Sequence, residues 1–462
     1  YKIKIIDVDQ SENVTTTKQY FSCSGHAPDG MLELHATWVI RWQQATPDQL
    51  PKMLSLHLED IELVRLQGQK GPFFSDCTEA VLSANDCYAQ QLLKGMNHWF
   101  QRSSAMKSER RDGGYEFGTN SPGIALGDVN GDGLEDLYLC QENGLPNRLF
   151  LHNLDGTATD VSQAWGVDWL QDSRSALFFD WDNDGDQDLA VAIRGGVVLT
   201  ENIDQQRFKY VRLVETSNDN MSLSAADYDT DGDLDLYICA YNRNLFYEPL
   251  SPDQTSKDGH VFVPHDANNG GSNKLLRNDG GGLFTDATKQ VGLDINNQRY
   301  SFAAAWEDYD NDGDLDIYVA NDFGRDNLYR NDGGMFEDIS AQAKIEDSAT
   351  GMGVAWGDYN RDGWMDSYIS NMWSSAGRRV TQQPKFKAND PKVKKRLQQF
   401  ARGNTLLKNE GDGTFNDVSG PTGVEMGRWA WGDQFVDLNN DGWEDLVVAN
   451  GYLTGIDDSG DL

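Results

Sequence analysis

The sequence predicts an all-β chain, a β-propeller of four-stranded blades, on three observations. An acidic loop of pattern D-x-[DN]-x-D-G-x-x-D occurs six times, the copies recur at a blade-sized period, and an apolar strand follows each copy.

The loops begin at Asp128, Asp180, Asp227, Asp308, Asp358 and Asp437, at spacings of 52, 47, 81, 50 and 79 residues. Three spacings near 50 set the period. Each long spacing is one period plus about 30 residues, which places insertions at about 242–272 and 371–403. Within a period the order is constant. An apolar run such as 302–306 (Phe-Ala-Ala-Ala-Trp) precedes the loop, and an alternating strand such as 316–320 (Asp-Ile-Tyr-Val-Ala) follows it. A second signature then appears, as at 327–336 (Asn-Leu-Tyr-Arg-Asn-Asp-Gly-Gly-Met-Phe), with relatives at 147–156, 273–284 and 404–415. An Asn/Asp-Gly turn between two apolar runs is a hairpin, so each period supplies four strands.

The sixth period stops soon after its second strand and has no such hairpin. Open blade edges invite aggregation, so either the N-terminal region supplies strands or further polypeptide completes the wheel. Residues 1–112 lack the period and are expected to form a smaller, mixed α/β cap or docking region, with the propeller at 113–462. Residues 32–42 and 54–66 alternate like strands, and 78–102 reads as helical through Val81, Leu82, Leu92, Leu93 and Met96. The second insertion is basic at 385–402 and suits a short helix. Its two readings are a solvated face and an electrostatic clamp or partner site on an acidic body.

Of the chain's 462 residues 38% are hydrophobic, so a core can be buried, and the formal net charge is −35. That charge argues against nucleic acid and anionic membrane surfaces. No run of 18 apolar residues appears, so no membrane span is predicted. The chain begins at Tyr1 with no signal peptide in view, which suggests a processed or trimmed N-terminus. There are five cysteines and no C-x-x-C pair, which disfavours a zinc site. Cys77 and Cys87 suit a small-loop disulfide, Cys140 and Cys239 read as buried core thiols, and Cys23 is left over.

Alternate positions of the loop present hard oxygen donors. Position one is the Asp already named. Position three is Asn130, Asp182, Asp229, Asp310, Asn360 or Asn439, position five is Asp132, Asp184, Asp231, Asp312, Asp362 or Asp441, and position nine is Asp136, Asp188, Asp235, Asp316, Asp366 or Asp445. Position six is always Gly, which permits a sharp turn with the oxygens convergent. Position seven varies, so its backbone carbonyl is the donor there. Calcium takes six to eight such oxygens in flexible geometry, whereas magnesium disfavours a many-carboxylate cage. Packed carboxylates without a cation repel one another, so up to six structural calcium ions are expected. The first half of the loop matches an EF-hand, which ends in a bidentate Glu at position twelve between helices. Here position twelve is Leu139, Val191, Ile238, Val319, Ile369 or Val448 and the flanks are strand-like, so an EF-hand is excluded.

These residues resemble the FG-GAP or VCBS repeat of integrin-α-like propellers, the core at 308–321 most closely. The hairpin at 404–417 is similar to the segment found in the cartilage-acidic-protein-like, ASPIC/UnbV-associated branch. The resemblance covers roughly 115–455 and implies a seven-bladed wheel whose loops join the first two strands of each blade. It also implies an extracytoplasmic protein (secreted, periplasmic or cell-surface) that mediates adhesion or assembly with a protein or glycan partner.

No G-x-S-x-G, H-E-x-x-H or P-loop pattern occurs. Two readings follow. One is a secreted calcium-binding scaffold for adhesion, assembly or protein/glycan binding. The alternative is an extracytoplasmic enzyme or lectin-like glycan binder using the central channel face, where Asn321, Asp322, Arg325, Asn371, Asn450, Arg428, Trp429 and Trp431 are the candidates. His260 and His265 read as loop residues.

Overall fold

A computed structural model describes residues 1–67 apart from 12, 28–29 and 44–49, residues 74–94 and 98, and residues 123–141, 144–242 and 266–451. The period-two alternation near the N-terminus forms an antiparallel meander of β1 (Lys2–Gln10), β2 (Val14–Ala27), β3 (Gly30–Gln43) and β4 (Lys52–Gln67), in that order. Its strands pair only with one another among the described residues, so they do not complete the last blade. Phe21 and Trp38 stack across β2 and β3 with ring centroids 4.4 Å apart.

The helix expected over 78–102 is broken into two five-residue turns, α1 (Thr78–Leu82) and α2 (Tyr88–Leu92). Asn85 interrupts it: the side chain donates to Ala158 O and accepts from Asp160 N, tying the segment to the first blade. Leu82 and Cys87 pack there against Phe150. Met96 and 99–112 lie outside the described residues.

The first repeat unit is β5 (Ile124–Gly127), β6 (Asp136–Leu139), β7 (Arg148–His152) and β8 (Ala158–Asp160), followed by the turn α3 (Ser162–Trp165). The second begins with β9 (Ser173–Phe179) and β10 (Asp188–Ile203), which doubles back at Gly195. β11 (Arg207–Ala226) closes the second unit with its first half and opens the third with its second, so two blades merge into one six-stranded sheet. β12 (Asp235–Ala240), β13 (Lys274–Asn278) and β14 (Phe284–Asp286) finish the third unit. The fourth is β15 (Ser301–Glu307), β16 (Asp316–Asn321), β17 (Asn327–Asn331) and β18 (Phe336–Asp338), followed by α4 (Ser340–Ala343).

In the fifth unit, β19 (Gly353–Gly357) and β20 (Asp366–Ser370) are separated from β21 (Thr405–Asn409) and β22 (Phe415–Asp417) by the second insertion. That insertion holds two helices, α5 (Ser375–Gln382) and α6 (Pro391–Phe400), where the sequence suggested one. Their N-caps explain the break: Ser374 and Asp390 each accept a backbone N–H of the first turn. Through Arg379 and Gln383, which donate to Ile5 O and Val8 O, α5 meets β1. The turn α7 (Ser419–Thr422) leads to a sixth unit of two described strands, β23 (Ala430–Val436) and β24 (Asp445–Asn450).

The fold is all-β, its units mostly four-stranded antiparallel sheets whose faces stack. The core lies between consecutive units. Tyr138 and Leu149 of the first meet Phe178 and Phe208 of the second, and Tyr318 and Leu328 of the fourth meet Ile369 and Phe415 of the fifth. Each fully buried ring or branched side chain contributes roughly 1.5–3 kcal/mol, so a unit is stabilised chiefly by its neighbours. Antiparallel order puts all the acidic loops at one end of the units. The connections between second and third strands, and between units, lie at the other.

Among the cysteines, Cys140 and Cys239 are buried as expected. Cys77 and Cys87 are free thiols, with Cys77 exposed and Cys87 buried in the contact with Phe150, so the small-loop disulfide is not formed.

Candidate metal-binding loops

Every loop joins the first two strands of its unit and folds on the same hydrogen bonds. The position-one carboxylate accepts the position-five N–H at 3.0–3.2 Å. Its other oxygen accepts the glycine N–H at 2.7–3.0 Å. Asp136, Asp188, Asp235, Asp316 and Asp445, at position nine, accept the position-two N–H at 3.1–3.3 Å.

At position six φ is strongly positive, 98° at Gly313, and in five of the six loops a Cβ there would meet no atom within 4 Å, Gly442 alone facing the flexible end of Arg361. Conformation, not crowding, requires the glycine. Position four is also left-handed in all six loops: Gly131, Asn183, Thr230, Asn311, Arg361 and Asn440. Asn and Gly tolerate this, but Thr230 and Arg361 do so at a cost that the loop's other bonds must offset.

Three carboxylate sets converge with oxygens within 4.8 Å of one another: Asp180, Asp182 and Asp188; Asp227, Asp229 and Asp231; Asp308, Asp310 and Asp316. These are the loops with Asp at position three. The other three loops carry Asn130, Asn360 and Asn439 there and so bring fewer acids together. Burial pushes the position-nine carboxyls up, to about 8 for Asp188 and Asp316 and about 7 for Asp235 and Asp366, and neighbouring loop carboxylates add to it. The opposing influence is a backbone N–H donated to each carboxyl by an Asn of the third strand. Asp229 Oδ1 and Asp310 Oδ1 are buried without a hydrogen-bond donor. Hard, crowded, under-satisfied oxygens are the chemistry a calcium ion satisfies, so the residues present fit that ion.

Sequence reasoning missed the third-strand Asn. Asn202, Asn278, Asn331 and Asn409 each donate Nδ2 to the position-two carbonyl of the preceding unit's loop, at 2.9, 2.7, 2.8 and 2.9 Å. Each thus links two consecutive loops. The signal was present as the Asn opening each hairpin turn, but a turn residue is ordinarily explained by the turn alone.

At the opposite end, Asn321 and Asn371 are fully buried. Asn321 donates to Arg325 O and Asn371 to Asp347 Oδ2, so they are structural and do not line a face. Asp322 is buried and accepts from Tyr241. Arg325 pairs with Asp266 and Glu346. Trp431 is partly exposed, its ring 5.9 Å from that of Phe302, Trp429 is half-buried, and Asn450 is exposed. In the basic insertion, Arg378 and Arg402 pair with Glu425 and Arg396 pairs with Asp266. Lys385, Lys387, Lys392 and Lys395 are exposed. His260 and His265 lie outside the described residues. None of the described helices is long and apolar enough to cross a membrane.

Over 154 residues the chain is 30% identical to cartilage acidic protein 1 of Xenopus tropicalis, an alignment spanning 30% of this chain and 22% of that protein. Among solved structures it is similar to an Agrocybe aegerita lectin that recognises non-reducing terminal N-acetylglucosamine, at 16% identity and a TM-score of 0.39 over 71% of this chain and 75% of that one. It is also similar to a V. cholerae biofilm matrix protein, at 13% identity and a TM-score of 0.33 over 64% of this chain and 38% of that one. Segments 128–191, 180–238, 261–319, 308–369 and 398–448 each match the FG-GAP-like repeat. Together they span more than half of the 462 residues, and the chain belongs to the FG-GAP-like repeat family.

Proposed function

We propose that the chain is an extracytoplasmic, calcium-stapled propeller serving as an adhesion, assembly or protein- or glycan-binding scaffold. In this reading the wheel is seven-bladed, residues 1–112 form its cap, and each acidic loop holds one structural calcium. The ligands are the side chains at positions one, three, five and nine and the carbonyl at position seven. The observation that carries the reading is the convergence of three acids with an orphaned oxygen, Asp229 Oδ1 or Asp310 Oδ1, in loops folded on a shared hydrogen-bond frame. Loops whose position-five carboxylates are all exposed to solvent suit the millimolar calcium found outside the cytoplasm. The glycan-binding half of the alternative reading is favoured by a polar cavity at the end opposite the loops.

Calcium that binds only the folded state stabilises it by about 2.7 kcal/mol per site at one hundred times its Kd. Thermal unfolding is therefore expected to move to lower temperature in excess chelator and to recover when calcium is restored, with up to six ions bound per chain. Melting that is indifferent to chelator would refute the reading.

A further inference from the structure

We propose that a pocket between the third and fourth units, at the end opposite the acidic loops, binds an uncharged saccharide. The inference deepens the scaffold reading, since it needs a folded, calcium-loaded wheel and names a ligand class for it.

The cavity is about 350 Å³, room for a mono- or disaccharide. Its lining includes Asp266, Asn268, Asp294, Asn296, Arg299 and Arg325. Carboxylates only accept hydrogen bonds, guanidinium groups only donate them, and side-chain amides do both. A simple anion entering would meet Asp266 and Asp294, and a simple cation would meet Arg299 and Arg325. A hydroxyl donates and accepts at once, so a ring of hydroxyls suits this mixed lining without the repulsion a bare charge incurs.

The site is built, not incidental. Arg299 is only 4% exposed, donates to Ala267 O at 3.1 Å and lies 3.6 Å from Asp266. Asp266 is held in turn by Arg325 at 3.1 Å and Arg396 at 2.7 Å. One carboxylate thereby fixes the end of the first insertion against the connection into the fourth unit, the turn after β16, and α6 of the fifth unit. Such preorganisation lowers the entropy cost of binding.

The test is calorimetric titration of the full chain in saturating calcium with D-glucose, D-galactose, D-mannose, N-acetylglucosamine, cellobiose and lactose. Binding of at least one sugar with a Kd of about 10 mM or tighter is expected. Asp294→Ala removes an exposed carboxylate and should weaken that binding about tenfold, with the melting temperature unchanged. Inorganic phosphate should not compete. Failure of all six sugars, an undiminished affinity in Asp294→Ala, or displacement by phosphate would each overturn the proposal. Chelator sensitivity of the melt, measured on the same preparation, fails or stands separately, so losing the pocket leaves the scaffold reading in place.

Discussion

Asn331→Ala tests whether consecutive loops are tied together by the third strand. The substitution removes three side-chain hydrogen bonds: Nδ2 to Tyr228 O at 2.8 Å, Nδ2 to Leu315 O at 3.1 Å, and Oδ1 from Gly334 N at 2.7 Å. Asn331 is fully buried, so the abandoned partners lie where water does not readily replace the amide. At about 1 kcal/mol per bond, and more for each group left unsatisfied, the loss is about 3 kcal/mol. Its backbone N–H to Asp316 Oδ1 survives, so the fourth loop keeps its position-nine anchor and the cost falls on the contact between units. Urea unfolding in saturating calcium is the assay. Asn242→Ala, an exposed amide that donates to Asp219, is the control and should cost well under half as much. A loss below about 1 kcal/mol at Asn331, or one no larger than at Asn242, would show that the tie between loops does not hold the units together.

Burial raises the Asp433 carboxyl to about 7 against the hydrogen bond from Ser370, so the folded state keeps a proton the unfolded state releases near pH 4. Stability contributed by this proton is present at low pH and falls as pH rises towards 7, by at most about 1.4 kcal/mol per pH unit. Asp433→Asn should make the fall in urea midpoint from pH 5 to 7 shallower by that contribution in saturating calcium, and an unchanged slope would refute it. Asp266→Asn should destabilise more than Arg396→Gln, by about 1–2 kcal/mol after discounting for exposure, because three guanidinium groups lose a shared carboxylate instead of one. Equal urea midpoints for the two variants would deny Asp266 that central role. Cys77 should react promptly with a thiol reagent in the native protein, while Cys87, with its thiol pushed up to about 12 by burial, and the buried Cys140 and Cys239 should react only on unfolding. Thiol counting under native and denaturing conditions checks this.

The loops and strand order were legible in the sequence because both rest on local rules. Glycine at position six, acids at alternate positions and an apolar strand after them need no tertiary information. Left-handed Asn183, Asn311 and Asn440 follow from the same rules, but Thr230 and Arg361 do not, since their conformation is imposed by the loop and opposes their own preference. The tie from Asn331 to Tyr228 O joins residues 103 apart and is visible only when two units stack. The broken N-terminal helix has the same cause: Asn85 bonds to strand β8 some 73 residues away, which outweighs a local helix bond. Asn321 and Asn371 were misplaced because a polar residue at a strand end looks like a surface residue. Partners in the adjoining connections let both be buried.

The two ends of each unit obey different length rules, and this explains which connections differ in length from unit to unit. An acidic loop has no room for a residue more or less, because its oxygens must converge. At the other end, one side chain closes the connection between second and third strands by accepting an N–H at the end of the second strand or just beyond it. Asn147, Asn273, Asp326 and Asn404 do this at 2.8, 2.8, 2.7 and 2.8 Å across sequence separations of 6, 33, 5 and 33. The same clasp holds whether it spans a tight turn or a whole helical insertion. Lengthening such a loop from 5 to 33 residues costs only about 1.7 kcal/mol in closure entropy, a sum that one clasp and a few new contacts offset. Insertions are therefore cheap at the clasped end and prohibitive at the acidic end. The clasped end is where Asp266 gathers Arg299, Arg325 and Arg396 and where α5 meets β1, so contacts there can vary without altering the acidic loops.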